Sequence, residues 1–467
     1  MSLFKSTAWY TVGNLLARSL VFILLPFYSN LISTDDFGRY SLIMSAYAVF
    51  VAIYQGGLFS SFSKYYFDSN DEEYKKRTFS SVLNLIFTVS LAFSIAGTIY
   101  RVKVSEILLH SGEYAGLILL LIWTLFIDAN FMTVIHLLKT KEQSKSVIYY
   151  TSISAVTNLI LNIFFVFYLK KGIEGILLAQ FFTSVIDGVI MSPIIKANYR
   201  FGIDRALVKK ILKFSYPLLI AGILSTFVDV ADRFILDRFL DKSAVGVYSF
   251  SYRIALIMNI FIVAFRSAWT PYSLRIINEQ KSYNVLFGRS FTKLVSISLL
   301  IFLSVALLTD DLFRIQFGTY HFFNPQYSSG TVIIPFVLIG YAFSGIVSFY
   351  SVYPYQSGKS YHFLVSDLIA FIFNILLNIL LIPKFGITGA AVATMLSFIF
   401  SSMYLYLISR SVKVVYQVKE LFILLAGTLI IFAVGQSLRI LWLDIVLLTV
   451  FTIVIQRTLN LKPRGAK

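Results

Sequence analysis

Four arginines lie within apolar segments of the sequence: Arg18, Arg233, Arg253 and Arg266. A guanidinium in hydrocarbon is costly, so such residues usually face a cavity or a partner. Arg18 shares a helix face with Asn14, and neither Arg18 nor Arg253 has an acid on its own segment. A guanidinium binds two phosphate oxygens through parallel hydrogen bonds. We therefore predict phosphate binding by Arg18, Arg253 and Asn14, with pairing to an acid on another helix as the structural alternative.

The other two arginines have different surroundings. Arg233 lies four residues from both Asp229 and Asp237, a spacing at which side chains pair along one helix face. This spacing favours a self-neutralised stripe, and substrate binding by Arg233 is the functional alternative. Arg266 lies near one end of its segment, where it can either extend to the membrane surface or contact an incoming phosphate.

Acidic residues within apolar segments suggest coupling to an ion gradient. Asp128, Asp229 and Asp367 are the candidates, and the signal for Asp367 and for Asp187 is weaker than that for Asp128. A buried carboxylate can carry a proton or coordinate sodium, so transport could depend on either gradient. For Asp128 the alternative is a structural pair with Arg18 or with a hydroxyl group. The sequence has no cysteine and shows neither a nucleotide-binding loop nor a metal-ligand cluster, so we predict no cofactor, no metal and no catalytic residue.

The segments that carry these residues are predicted membrane helices. Hydrophobic residues make up 58% of the chain and charged residues 13%, and the mean hydropathy is +0.79. The apolar residues fall into blocks of about twenty, the length that a helix needs to cross the hydrocarbon core. We therefore predict an all-α polytopic protein with about fourteen spans, near 9–29, 38–60, 80–100, 114–138, 147–168, 173–195, 214–236, 245–268, 290–309, 331–352, 361–382, 387–409, 420–437 and 439–456.

The basic residues predict the orientation of these spans. Most of the 40 lysines and arginines fall in the even-numbered loops and in the C-terminal tail. Cytoplasmic loops carry this excess, so we predict that both termini are cytoplasmic. The first apolar block lacks a cleavage site and is expected to be retained as a span. The charge of +17 is thus mainly a topology signal, and no nucleic-acid partner is predicted.

The sequence also repeats itself at an offset of about 210 residues. The matched motifs are Gly38-Arg39-Tyr40-Ser41 with Gly246-Val247-Tyr248-Ser249, Asn158 and Asn162 with Asn374 and Asn378, Lys145-Ser146 with Lys359-Ser360, and Gly172-Ile173-Glu174-Gly175 with Gly386-Ile387-Thr388-Gly389. Each repeat holds six spans, an even number, so both copies keep one orientation, as in transporters built from parallel repeats. We predict two six-helix lobes, 1–213 and 214–413, around a central cavity, followed by two additional spans and a basic tail in 414–467. For the asparagine pairs, hydrogen bonds between helices are favoured and sugar contact is the alternative.

Several runs resemble one family. They are Leu25–Ser33, Phe37–Tyr40, Asp232–Leu236, Val245–Tyr248 and Leu381–Ala391. Their order and spacing are similar to those of Wzx-type flippases, which act in polysaccharide and O-antigen biosynthesis. These proteins belong to the multidrug/oligosaccharidyl-lipid/polysaccharide exporter superfamily.

The resemblance implies a transporter, not an enzyme, that works by alternating access. Its substrate would be an undecaprenyl-pyrophosphate-linked sugar, carried from the inner to the outer leaflet of a bacterial cytoplasmic membrane. Membrane lipid, a polysaccharide polymerase and a chain-length regulator are the further partners that it implies.

Three other functions are open. A drug/cation antiporter of the same superfamily would need an acidic, aromatic cavity, whereas the deep arginines favour an anionic head group. A membrane glycosyltransferase or polymerase would need acidic residues on a large loop, and the longest predicted loops are only about twenty residues. A membrane scaffold that transports nothing would not need charges within its spans.

Overall fold

The computed structural model describes residues 22–55, 57–202, 204–279, 283–359, 361–412, 414–438 and 440–460. The chain divides into two compact units, Met1–Gly246 and Val247–Lys467. In the first unit the helices are α1 (Phe22–Leu31), α2 (Thr34–Gln55), α3 (Leu58–Tyr66), α4 (Glu72–Ile99), α5 (Arg101–Leu109), α6 (Ala115–Thr140), α7 (Ser144–Asn162), α8 (Gly172–Asn198) and α9 (Arg205–Phe239).

Helix α10 (Lys242–Glu279) begins in the first unit and continues into the second. The second unit then contains α11 (Tyr283–Arg314), a short hairpin of β1 (Gln316–Phe317) and β2 (Tyr320–His321), a 3₁₀ segment (Pro325–Ile333), α12 (Ile334–Tyr350), α13 (Val352–Ser357), α14 (Tyr361–Ile408), α15 (Val418–Leu438) and α16 (Leu441–Asn460). The hairpin lies in a predicted loop.

Among the described residues, eleven helices are long and apolar enough to cross a membrane. One of them, α14, contains two predicted spans, because Gly386 has non-helical angles (φ 56°, ψ −135°) that separate them. Helix α1 is the described part of the predicted first span. Helix α16, which is not one of the eleven, overlaps the predicted last span. The prediction of a polytopic all-α protein is thus confirmed, while the division at residues 213 and 413 stays a prediction.

Two helices whose N-termini lie on the predicted cytoplasmic side have an aspartate as the N-cap residue. The Asp71 carboxylate accepts hydrogen bonds from the backbone N–H groups of Glu73 and Tyr74, at 3.1 and 3.2 Å, and so caps α4. The Asp204 carboxylate accepts from Leu207 N–H at 3.0 Å and caps α9. These bonds satisfy donors that have no partner within the helix. Helix α9 then packs against α2, α3 and α4 within the first unit.

The repeated glycine motif forms a close helix crossing within the first unit. A Cβ atom on Gly38 of α2 would overlap the Lys242 carbonyl oxygen, and one on Gly246 of α10 would overlap the Thr34 carbonyl oxygen. The Thr34 and Ser243 hydroxyls lie 2.7 Å apart at the same crossing. Glycines let two helix backbones meet at this distance. The Gly–X–Tyr–Ser motif, present once in α2 and once in α10, therefore allows these two helices to pack closely.

The two asparagine pairs of the predicted repeat make the same hydrogen bonds. The Asn162 amide donates to the backbone and side-chain oxygens of Asn158, both at 2.9 Å. In the second unit, Asn378 donates to the same two oxygens of Asn374, at 2.8 and 3.0 Å. The predicted hydrogen bonds between spans are also present. Asn158 of α7 donates to Gln180 of α8 at 3.3 Å, and Asn374 donates to Thr394 at 3.4 Å across the two halves of α14.

The two copies differ in the connection that follows these asparagines. Gly172 and Gly386 begin equivalent helices with similar positive φ angles, 54° and 56°, which favour glycine. The connection before Gly172 is the longer one, and it includes a π-helix over Ile163–Tyr168. A π-helix has i→i+5 hydrogen bonds and holds more residues in each turn. The first unit thereby accommodates extra residues and keeps the repeated architecture.

Candidate functional site

A polar cavity of about 340 Å³ lies among the helices of the first unit. It is lined by side chains of α1, α2, α6, α7 and α8. Its polar lining residues are Tyr47, Asp128, Tyr150, Thr151, Ser154, Asn158, Gln180, Thr183, Ser184 and Asp187. Two carboxylates thus share one cavity with hydroxyl and amide groups. Oxygen atoms of this kind suit a proton or a hard cation such as sodium.

Asp128 of α6 is bound by neutral groups. The Tyr47 hydroxyl donates a short hydrogen bond to its carboxylate, and the Ser184 and Gln180 side chains lie within hydrogen-bonding reach of it. Among the described residues, no basic side chain forms an ion pair with Asp128. The hydroxyl pairing that we predicted as one alternative is therefore present. It does not cancel the negative charge, which leaves the carboxylate suited to ion binding.

Asp187 of α8 has a larger place in this site than the sequence indicated. The Ser154 hydroxyl donates to its carboxylate at 2.6 Å, and the negative charges of Asp128 and Asp187 repel each other. A bound proton or cation would relieve that repulsion. The sequence around Tyr47 does not predict this contact, because Asp128 lies on another helix and no motif links the two residues.

The predicted stripe around Arg233 is only partly correct. Arg233 Nη1 binds the Asp232 carboxylate at 2.9 Å and the backbone oxygen of Asp229 at 2.5 Å. Asp232 is completely buried, and it was not a predicted partner.

The prediction that Asp237 pairs with Arg233 is wrong. Asp237 instead binds Lys242 Nζ at 2.5 Å and His110 Nε2 at 3.0 Å. Asp237 lies at the end of α9, so residues of the following turn and of the loop after α5 reach it more easily than the preceding helical turn does.

Two predicted residues of the second unit interact with each other. Arg266 of α10 donates from Nε to the Ser348 hydroxyl of α12 at 2.9 Å. Its positive charge also acts on Asp367 of α14. One turn further on, Trp269 donates to the Phe349 backbone oxygen at 3.0 Å. This anchoring makes Arg266 a fixed part of the helix bundle.

Of the predicted phosphate ligands, the described residues include Arg253. Arg18 and Asn14 lie outside the described residues. Arg253 lies in α10 and is partly buried, in the turn after Ser249, whose hydroxyl oxygen is buried without a hydrogen-bond partner among the described residues. Joint phosphate binding by Arg18 and Arg253 therefore stays a prediction.

The helices and their buried charges define a multi-pass membrane protein. The chain belongs to the family of polysaccharide biosynthesis proteins, whose family model matches residues 3–277. It is 27% identical over 286 residues to an uncharacterized membrane protein of Haemophilus influenzae, covering 58% of this chain and 65% of the relative. It is 28% identical over 218 residues to a probable low-salt glycan biosynthesis flippase, Agl15, of Haloferax volcanii, covering 45% of this chain and 43% of that protein.

Solved transporter structures have the same fold. The lipid II flippase MurJ, in an inward closed conformation, matches with a TM-score of 0.76 at 18% identity, covering 96% of this chain and 99% of its own. An inward-facing multidrug resistance transporter of the MATE family matches with a TM-score of 0.67 at 13% identity, covering 85% of this chain and 95% of its own. These identities establish likeness of fold alone.

Proposed function

We propose that this protein is a flippase for cell-surface polysaccharide biosynthesis. It moves an undecaprenyl-pyrophosphate-linked oligosaccharide from the cytoplasmic to the outer leaflet by alternating access. Membership of the polysaccharide biosynthesis family and the name of the Haloferax relative support this proposal. The observation that carries it is the family match over residues 3–277, and a transporter fold over 96% of the chain is consistent with it. In this proposal the protein lies in a bacterial cytoplasmic membrane with both termini in the cytoplasm.

Arginines would hold the pyrophosphate in this mechanism. Arg18 and Arg253 are the main ligands that we propose, with Asn14 beside Arg18. Arg233 is a weaker candidate, because Asp232 already binds its guanidinium at 2.9 Å. Arg266 lies near one end of its span, where it could guide the pyrophosphate, but its hydrogen bond to Ser348 also gives it a structural role.

Ion coupling would use the cavity that contains Asp128 and Asp187. Entry of a proton or sodium ion cancels negative charge there and changes the packing of α2, α6 and α8 around it. Asp367 and Asp229 are the other candidates, and each lies beside an arginine that supplies positive charge in the absence of an ion. The first cavity is therefore the coupling site that we favour.

A direct test is leaflet exchange in vesicles. The purified full-length protein would be reconstituted with a lipid-linked oligosaccharide that bears a fluorescent sugar, and a sugar-specific quencher would report the outer leaflet. We expect faster exposure than in protein-free vesicles, and slower exposure with Arg18→Ala/Arg253→Ala. Exchange at the protein-free rate, with correctly folded protein, would refute the proposal.

A cation antiporter is the second candidate function. The acidic cavity includes the aromatic residues Tyr47, Phe131 and Tyr150, and a cavity of this composition suits a lipophilic cation. The same vesicles, loaded with a fluorescent cation and given a pH or sodium gradient, separate the two functions. Gradient-driven cation export without oligosaccharide exchange would favour the antiporter.

A further inference from the structure

Two nearly buried carboxylates lie at one end of the last two helices, which fall outside the internal repeat. Asp311 is near the end of α11 and Asp444 is in the first turn of α16, with 8% and 2% of their surfaces exposed. Helices α11, α15 and α16 pack against one another in the second unit. The predicted topology places this end at the outer face of the membrane.

The Asp444 carboxylate occupies a slot that the fold leaves open for it. A Cβ atom on Gly435 of α15 would lie 2.6 Å from Asp444 Oδ1 and 2.6 Å from a Leu307 methyl group of α11. Asp444 Oδ1 is nevertheless buried without a hydrogen-bond partner in the described part of the chain. A buried carboxylate oxygen normally has a donor or a cation beside it. The described residues therefore leave the slot without the group that would complete it.

Among the described residues, the two carboxylates have one basic partner, which belongs to Asp311. Asp311 and Asp444 repel each other. Arg314 binds Asp311 Oδ1 at 3.2 Å, but its side chain is 54% exposed. Among the described residues no basic side chain forms an ion pair with Asp444.

We propose that Asp311 and Asp444 bind a divalent cation of the calcium class between α11 and α16. Carboxylates are ligands for hard cations, and calcium accepts amide oxygens, carbonyl oxygens and water in the remaining positions. Such completion is required, because the described residues contain no group of three or more His, Asp or Glu side chains that could hold a metal. The cation would join the last two helices to the body of the second unit.

Terbium luminescence tests this site in the intact protein. Terbium replaces calcium and emits when a nearby tryptophan is excited, and Trp442 is two residues from Asp444 with 77% of its surface exposed. In detergent-solubilised full-length protein we expect terbium emission that calcium displaces. Asp444→Asn and Trp442→Phe should each abolish the emission. Calcium should raise the unfolding midpoint of the unmodified protein and of Trp442→Phe by a few degrees, but not that of Asp444→Asn.

Controls make each outcome decisive. Glu420→Gln, at the opposite end of α15, should change neither the emission nor the calcium effect. Unchanged emission in Asp444→Asn, or an equal rise in midpoint with sodium alone, would overturn the proposal. Arg439, five residues before Asp444, provides a further test. The contrary result is an equal loss of stability in Arg439→Gln and Asp444→Asn while calcium has no effect on the unmodified protein. That result would identify Arg439 as the counter-charge of Asp444 and would refute the cation site.

Discussion

At the scale of single residues, the proposed function depends on charges that the membrane makes costly. Asp128 and Asp187 lie in one cavity and are bound by the hydroxyls of Tyr47 and Ser154, which stabilise a carboxylate without neutralising it. Arg233 and Arg266, by contrast, have acidic neighbours in Asp232 and Asp367. The uncompensated groups are therefore the ones whose charge an ion or a substrate can change.

The first residue-scale prediction concerns coupling. Asp128→Asn keeps the shape of the side chain but removes its charge. We expect transport in vesicles to lose its dependence on the imposed proton or sodium gradient, because an amide binds neither ion as a carboxylate does. Glu113→Gln, in the loop before α6, is the matched control and should retain that dependence. Gradient dependence that survives in Asp128→Asn would restrict Asp128 to a structural role.

The second concerns the pyrophosphate. Lysine at position 18 or 253 keeps the charge but loses the planar fork, so Arg18→Lys and Arg253→Lys should support partial transport. The alanine variants should be weaker, because a lost charge-assisted hydrogen bond costs about 1.5–3 kcal/mol, roughly ten- to a hundredfold in affinity. Polymer output in complemented cells, divided by membrane abundance, measures this. Normal output from the double alanine variant at equal abundance would contradict phosphate binding by these arginines.

At the scale of elements, glycines determine how closely the helices approach. At the crossing of α2 and α10 a side chain at Gly38 or Gly246 would overlap a backbone oxygen, which cannot rotate away as a side chain can. The positive φ angles of Gly172 and Gly386 direct the chain into the next helix in both copies of the repeat. These glycines belong to repeated sequence motifs, because both copies must solve the same packing problem.

This crossing gives the element-scale prediction. Gly38→Ala and Gly246→Ala should each destabilise the protein by about 1–3 kcal/mol, the usual cost of overpacking. Thermal unfolding in detergent measures the loss. Gly222→Ala in α9 is the matched control, since no atom lies within 4 Å of an added Cβ. A stability equal to that of the unmodified protein for both crossing variants would show that the two helices can separate at little cost.

At the scale of the whole molecule, the basic residues predict the orientation in the membrane. Reporter fusions after Lys213 and after Lys413 should be cytoplasmic, and a fusion near Asp241 should be outside. The physical reason is the excess of lysine and arginine in the even-numbered loops. An activity-based reporter for each compartment provides the measurement. Reversed results at these three points would overturn the orientation and, with it, the outer location of Asp311 and Asp444.

The sequence by itself determined the class of protein and most of its helices. Apolar blocks of membrane-spanning length require helices, because backbone groups in hydrocarbon must bond within their own segment. The repeated asparagines and glycines likewise indicated local contacts that the structure contains, since their partners lie on the same or a neighbouring helix.

Only the tertiary structure decided which charges have partners. The spacing around Arg233 predicted Asp237 as a partner, but the buried carboxylate of Asp232 binds Arg233. Several acids lie close to Arg233 in sequence, and side-chain rotamers and helix packing determine which of them is in reach. Tyr47 and Asp128 come from helices far apart in sequence, and Asp311 and Asp444 meet only because α11 packs against α16. The spacing of residues along one helix predicts which side chains share a face of that helix. The groups that meet across helices depend on packing, which no single segment encodes.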